Sequence, residues 1–146
     1  MRTLFIFFIC FSYSVSSFAQ RTEQVRKVDS LLQLLAVSRA DTGRAMILFE
    51  LASWYETNNQ DSSAYYLLQG KKLAESLQFD KGIYYYYQQG AVLAYTKGNY
   101  TEALDISAKG LALARKLKDS IKVLSMLNNF GIVYSYLGEF EKQLDY

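Results

Sequence analysis

Four consecutive tyrosines, Tyr84 to Tyr87, stand among thirteen in the chain, and their rings have the most chemistry to offer. A phenol brings a large contact area, a hydroxyl that donates or accepts, and a π face that attracts cations. It does not bring turnover without partners, and the usual partners are missing. The sequence has no histidine, and its single cysteine is Cys10. Ser-His-Asp and Cys-His catalysis are thereby excluded, as are zinc sites of the Cys/His type. Carboxylates are left. Glu139 and Glu141 form the obvious pair, but they lie at an expected helix start, where the helix dipole favours acids in any case. Arg115, Lys116 and Lys118 sit at an expected helix C-terminus for the mirror-image reason. Asn99-Tyr100-Thr101 matches the glycosylation triplet, a pattern short enough to arise by chance. The expectation is a protein without catalytic residues, cofactor or metal, and therefore not an enzyme.

The tyrosine run also says something about the elements that carry it. A helix turns about 100° per residue, so four adjacent rings fan over roughly 300°. One buried face cannot hold them all. Tyr84 and Tyr87 are expected to pack between helices, Tyr86 against the preceding unit, and Tyr85 to look outward into a groove. Such an arrangement needs helices on several sides. Composition agrees: 51% of the 146 residues are hydrophobic and there is no proline. A chain of this length can bury a core, and an all-helical one tolerates the lack of proline best. The formal net charge is +2, with acids and bases interspersed. Neither nucleic acid nor an anionic membrane is favoured as a partner by that balance.

The first residues read as an address rather than as fold. "MRTLFIFFICFSYSVSSFAQ" carries one charge at Arg2, an apolar stretch from Leu4 to Phe11, and small residues at Ser17 and Ala19. This is the pattern of a secretory signal peptide over residues 1–19, cut after Ala19. The stretch is short for a membrane span. The expected product is exported to a bacterial periplasm or beyond, lacks cysteine, and does not insert directly into the membrane after cleavage.

From residue 20 onward the chain matches itself when shifted by about 40 positions. Gly70 meets Gly110, Leu73-Ala74 meets Leu113-Ala114, Tyr55 meets Tyr95, and Gly98 meets Gly138. Leu51, Ala91 and Gly131 align, as do Ile47, Tyr87 and Leu127. Apolar residues recur at three and four within each period, and Asn58–Asp61, Gly98-Asn99 and Gly138-Glu139 interrupt them. Each period therefore predicts two helices, with Asp61 placed to cap the helix that follows it. The helices are expected at 22–38, 42–58, 61–78, 80–97, 100–117 and 120–137, with another starting near 139. The domain over 20–146 then holds a half repeat at 22–38, full repeats at 42–78 and 80–117, and an incomplete one at 120–146. No polar cap closes the last repeat, so the C-terminal end is expected either to continue into a longer protein or to support self-association.

The unit "NNFGIVYSYLGEFEKQL", Asn128 to Leu144, resembles a tetratricopeptide repeat: an aromatic-small pair, a tyrosine three residues on, then Leu-Gly-acid-aromatic at the hairpin tip. "AVLAYTKGNYTEAL", Ala91 to Leu104, is a second such unit, and Leu51 to Ala74 a third. The resemblance covers residues 22–146 in a long-repeat variant. It implies an all-α, right-handed α-solenoid of antiparallel helix pairs, about two and a half to three repeats long. It also implies protein–protein interaction, with a peptide or partner protein bound in a concave groove lined by the first helix of each pair. Carried over position by position, the groove residues are Phe49, Ser53 and Glu56, then Tyr85, Gln88, Val92 and Tyr95, then Asn128, Ile132 and Ser135. The family's lysine-asparagine clamp for a C-terminal carboxylate is matched only by Asn128, since Phe49 and Tyr85 stand at comparable places. An aromatic, weakly polar groove is expected instead. A leader followed by long repeats also resembles the sensor region of membrane-anchored bacterial histidine kinases and helix-turn-helix regulators. That is the alternative to a free-standing scaffold.

Overall fold

The structure is a computed structural model that describes residues 26–139 and residue 142. The expected leader and the bulk of the helix expected from 139 lie outside the described residues. The chain divides into two units, up to Val37 and from Ser38 onward, and each is taken by itself. In the first, residues 26–37 form helix α1, where the Ser30 hydroxyl donates to the Arg26 carbonyl at 2.9 Å. In the second, five helices succeed one another: α2 (Thr42–Asn58), α3 (Gln60–Ser76), α4 (Asp80–Thr96), α5 (Tyr100–Lys116) and α6 (Ser120–Leu137). The described residues contain no strand. The architecture of this unit is an all-α helical-repeat solenoid.

Local chemistry sets the helix boundaries. The carboxylates of Asp41 and Asp119 accept from the backbone N–H groups of Arg44 (2.9 Å) and Lys122 (3.0 Å) at the starts of α2 and α6. Each satisfies a donor that a first helical turn leaves orphaned. Asn59 does the same for α3, accepting from Asp61 and Ser62. The cap is thus Asn59 and not the expected Asp61, which lies in the first turn. The reason is the tightness of the hairpin: Asn59 alone separates α2 from α3, and it must end one helix and begin the next. At its far end α6 closes on Gly138 in the left-handed conformation (φ 73°), where a side chain would be strained.

The single-residue hairpin changes the spacing. From α3 to α5 and from α4 to α6 the helix starts lie 40 residues apart, whereas α2 and α4 start 38 apart. The second hairpin has three residues, Lys97 to Asn99, where the first has one. A residue on α2 therefore corresponds to one on α4 two places earlier than a uniform period of 40 implies.

Close packing is organised around glycine. A Cβ built on Gly110 would lie 2.5 Å from Met126 Sδ and 2.9 Å from Tyr87 Cβ. One built on Gly70 would lie 2.8 Å from Phe49 Cε1. Tyr87 and Phe49, 38 positions apart, thus do the same work on successive hairpins. Around these contacts the core forms three clusters. The first holds Ala45, Phe49, Ala52, Leu67, Ala74 and Leu93. The second holds Tyr84, Leu111, Ala114, Met126 and Phe130. The third holds Ala91, Ala94, Ala103, Ile106 and Val133. Alanine recurs in all of them because helix axes approach only where side chains are small.

Three polar side chains interrupt the core. Ser107 and Asn129 are buried, and neither Ser107 Oγ nor Asn129 Nδ2 has a hydrogen-bond partner. Buried Ser63, by contrast, donates to the Ala52 carbonyl at 2.8 Å. An unsatisfied buried hydroxyl costs stability that an apolar atom of similar size does not.

Three substitutions test this account by thermal unfolding of the full chain. Gly110→Ala should destabilise by about 1–3 kcal/mol, because Tyr87 Cβ is fixed close to its own backbone and cannot yield. Gly90→Ala should stabilise by about 0.5–1 kcal/mol, since helix propensity favours alanine and the added Cβ meets only Ile106 and Tyr86 at ordinary distances of 3.7 and 3.8 Å. Ser107→Ala should stabilise by about 1 kcal/mol.

Candidate partner-binding face

Helices α2, α4 and α6 form one row. They contact one another in order, whereas α3 and α5 do not touch. The row is therefore the tighter, inner side of the stack and α3 and α5 the wider, outer side. Its helices run parallel. Phe49 stacks on Tyr85 (ring centroids 6.2 Å), Tyr84 donates to the Lys122 carbonyl (3.3 Å), and Gln88 Nε2 donates to Ser125 Oγ (3.3 Å). Farther along, Tyr95 stacks on Tyr136 at 6.1 Å.

The tyrosine run is distributed over the neighbouring helices. Tyr84 is buried among Leu111, Ala114, Met126 and Phe130. Tyr85 lies on Phe49 of α2. Tyr86 packs against the first cluster and takes the Lys71 ammonium over its ring, 4.6 Å from the centroid. Tyr87 packs against the third cluster and Gly110. All four rings are used in packing, and only Tyr85 keeps part of its surface on the inner row.

The expected groove residues divide into three groups. Phe49 is not one of them: it is 1% exposed and fills the space left by Gly70. The two-residue offset of α2 explains the misplacement, since Phe49 corresponds to Tyr87 and not to an open position. Tyr85 and Gln88 are half-buried and engaged with neighbouring helices. The remaining residues meet solvent on the inner row: Ser53 and Asn128 are among the more exposed, while Glu56, Val92, Tyr95 and Ile132 are half-buried. Asn128, Ile132 and Ser135 line one open cleft with Leu124, Leu127, Gly131 and Tyr136, and its volume is about 460 Å³. A second cleft of about 240 Å³ lies on the outer side, floored by Leu67, Gly90, Leu93 and Ile106 and rimmed by Lys97 and Glu102. It holds none of the expected groove residues.

Tyr136 is not among those residues, yet it is 62% exposed and stacks on both Tyr95 and Tyr100, the latter at 5.8 Å. Its position one residue after Ser135 and its ring type are the available signal. Electrostatics single out the same end of the row. Burial pushes the Glu56 carboxyl above the usual range. Burial also raises the Tyr95 phenol, aided by the nearby charge of Glu56 and by Tyr136. Lys81 and Lys122 lie at the opposite end, over the rings of Tyr85 and Tyr84. Lys122 is also paired with Asp119.

Chemistry beyond binding finds no support in this arrangement. Among the described residues no group of three His, Cys, Asp or Glu side chains could hold a metal ion. Among them, too, no helix is long and apolar enough to cross a membrane.

A family model described as tetratricopeptide repeat matches residues 83–145, a span that takes in most of α4, all of α5 and α6, and the stretch after α6. No curated protein matches the chain, and no solved structure does. The matched span and the helix pairing together make this a tetratricopeptide-like helical-repeat fold. Repeats of this kind are non-catalytic and generally mediate protein–protein interaction.

Glu56 supplies a check on the site's electrostatics. Its raised folded-state pKa means that it contributes stability when protonated and loses that contribution as pH rises through the folded value. Glu56→Gln should therefore match the parent at acid pH and exceed it at neutral pH. Urea unfolding at both pH values would read the difference, and a gap that is the same at both would contradict burial as the cause.

Proposed function

We propose that this chain is an exported, non-catalytic interaction module that docks a peptide or a partner protein on the α2/α4/α6 face. The observation that carries the reading is the inner row itself. Tyr95, Asn128, Ile132, Ser135 and Tyr136 present rings, amides and small apolar groups to solvent beside an open cleft, on a rigid stack of helices. Tyrosine suits such a surface because it offers a large contact area for few rotatable bonds. The leader-like first nineteen residues support export, with the repeats working in a periplasm or outside the cell.

The exposed apolar side chains at the start of α6 support a second partner, another copy of the chain. Ile121 is 82% and Leu124 66% exposed, whereas Tyr84, forty residues before Leu124, is 4% exposed beneath α5 and α6. Leu124 thus stands at a stacking position that the preceding repeat covers.

Tyr95→Ala combined with Ile132→Ala should weaken capture of the native partner at least tenfold, about 1.4 kcal/mol or more, in pull-downs from the periplasmic fraction. Helicity by circular dichroism should not change. Unchanged capture would remove the inner face from consideration.

A further inference from the structure

The inner row is electrically lopsided, and the lopsidedness has a chemical meaning. Because α2, α4 and α6 are parallel, their C-termini gather at one end, near Asn58, Thr96 and Leu137. None of the three has a basic residue in its last turn, whereas α5 carries Arg115 and Lys116 there. Their terminal carbonyls are met by neutral donors, such as the Asn58 amide on the Trp54 carbonyl at 2.8 Å, and not by a cation in the last turn. Glu56 projects from α2 at this same end. It lies seven residues, about 10.5 Å of helix, beyond Phe49. Since Phe49 stacks on Tyr85, that rise brings Glu56 level with Val92 and Tyr95. No cation pairs with Glu56 among the described residues. Beside it Tyr95 is half-buried and stacks on Tyr136, 6.1 Å away and 28° from parallel, and Tyr136 stacks in turn on Tyr100.

A further acid, Asp61, stands in the first turn of α3 at this end. Glu102 of α5 and Lys97, the C-cap of α4, both line the outer cleft and carry opposite charges, and Lys142 is engaged with Glu139. A carboxylate without a cation partner, an aromatic ring beside it and three helix C-termini without a basic last turn all favour one kind of guest.

We propose that the Glu56–Tyr95–Tyr136 end of the face anchors a basic side chain of the partner, an arginine in preference to a lysine. A guanidinium is planar, so it can lie on Tyr95 while its N–H fork meets the Glu56 carboxylate in paired hydrogen bonds. An ammonium satisfies the charge but not the plane. The chemistry is the reverse of a clamp that grips a partner's carboxylate. This assignment rests on the inner row being the docking face and adds the residue class that docks there.

The test uses the full chain and four pools of fluorescein-labelled heptapeptides, amidated and acetylated. Their central residue is fixed as arginine, lysine, citrulline or glutamate, and the flanks are random mixtures of neutral residues. The expected result is that the arginine pool binds about tenfold more tightly than the citrulline pool and tighter than the lysine pool, with glutamate weakest. Glu56→Gln should abolish the arginine–citrulline difference, and Tyr95→Leu should shrink the arginine–lysine difference, with circular dichroism unchanged in both. If all pools bind alike, or if Glu56→Gln leaves the preference intact, the anchor is wrong while the docking face stands. If no pool binds at millimolar concentration, the docking face and the anchor fail together.

Discussion

The helices pack against one another where large side chains meet the bare backbone of helical glycines. At Gly110 the absent Cβ lets α5 settle against Tyr87 of α4 and Met126 of α6 at once. At Gly70 the same absence admits the ring of Phe49. Each glycine sits inside a helix, where its backbone entropy is a liability of roughly 0.5–1 kcal/mol relative to alanine. That liability is offset by the packing it permits. Because Gly110 faces two helices at once, its contact joins a hairpin to the next repeat, and the alignment of α4 with α6 depends on it.

Polar groups are handled unevenly by this packing. Ser63 is buried and satisfied by the Ala52 carbonyl, while Ser107 and Asn129 are buried without partners for one atom each. On α5 and α6, Gly110 approaches Met126 and Ala103 shares a cluster with Val133. In that antiparallel alignment Ser107 and Asn129 fall at the same level. Neither atom finds a partner in this alignment, so the level carries a cost that the surrounding apolar packing must offset.

Much of this is legible in the sequence. The recurring small residues, Gly70 with Gly110 and Ala91 with Gly131, and the tip glycines Gly98 and Gly138, point to paired helices with a period near 40. The fan of the tyrosines comes from helical geometry, and each ring goes to a different neighbour. Phe49 escapes such a reading because one short turn breaks the period: Asn59 does alone what Lys97, Gly98 and Asn99 do in the next repeat. A count of residues cannot reveal a two-residue slip when apolar residues stand at both alternatives. The cap at Asn59 escapes it for the same reason, since Asp61 is an adequate cap for any looser turn. Glu56 is legible as a position but not as a charge in a particular field. Its surroundings come from α4 and α6, which lie far from it in sequence.

The pattern of neighbours has a mechanical consequence. Among the described helices from Ser38 onward, none touches another more than two places away along the chain. Among the described helices nothing ties α2 or α3 directly to α6, so resistance to tension is shared only between adjacent repeats. Stretched from its ends, such a stack yields in steps, one hairpin peeling from the next while the remainder holds its shape. Released, each hairpin finds its place again against a neighbour that never left. A stack held together in this way is expected to lengthen under load in discrete increments.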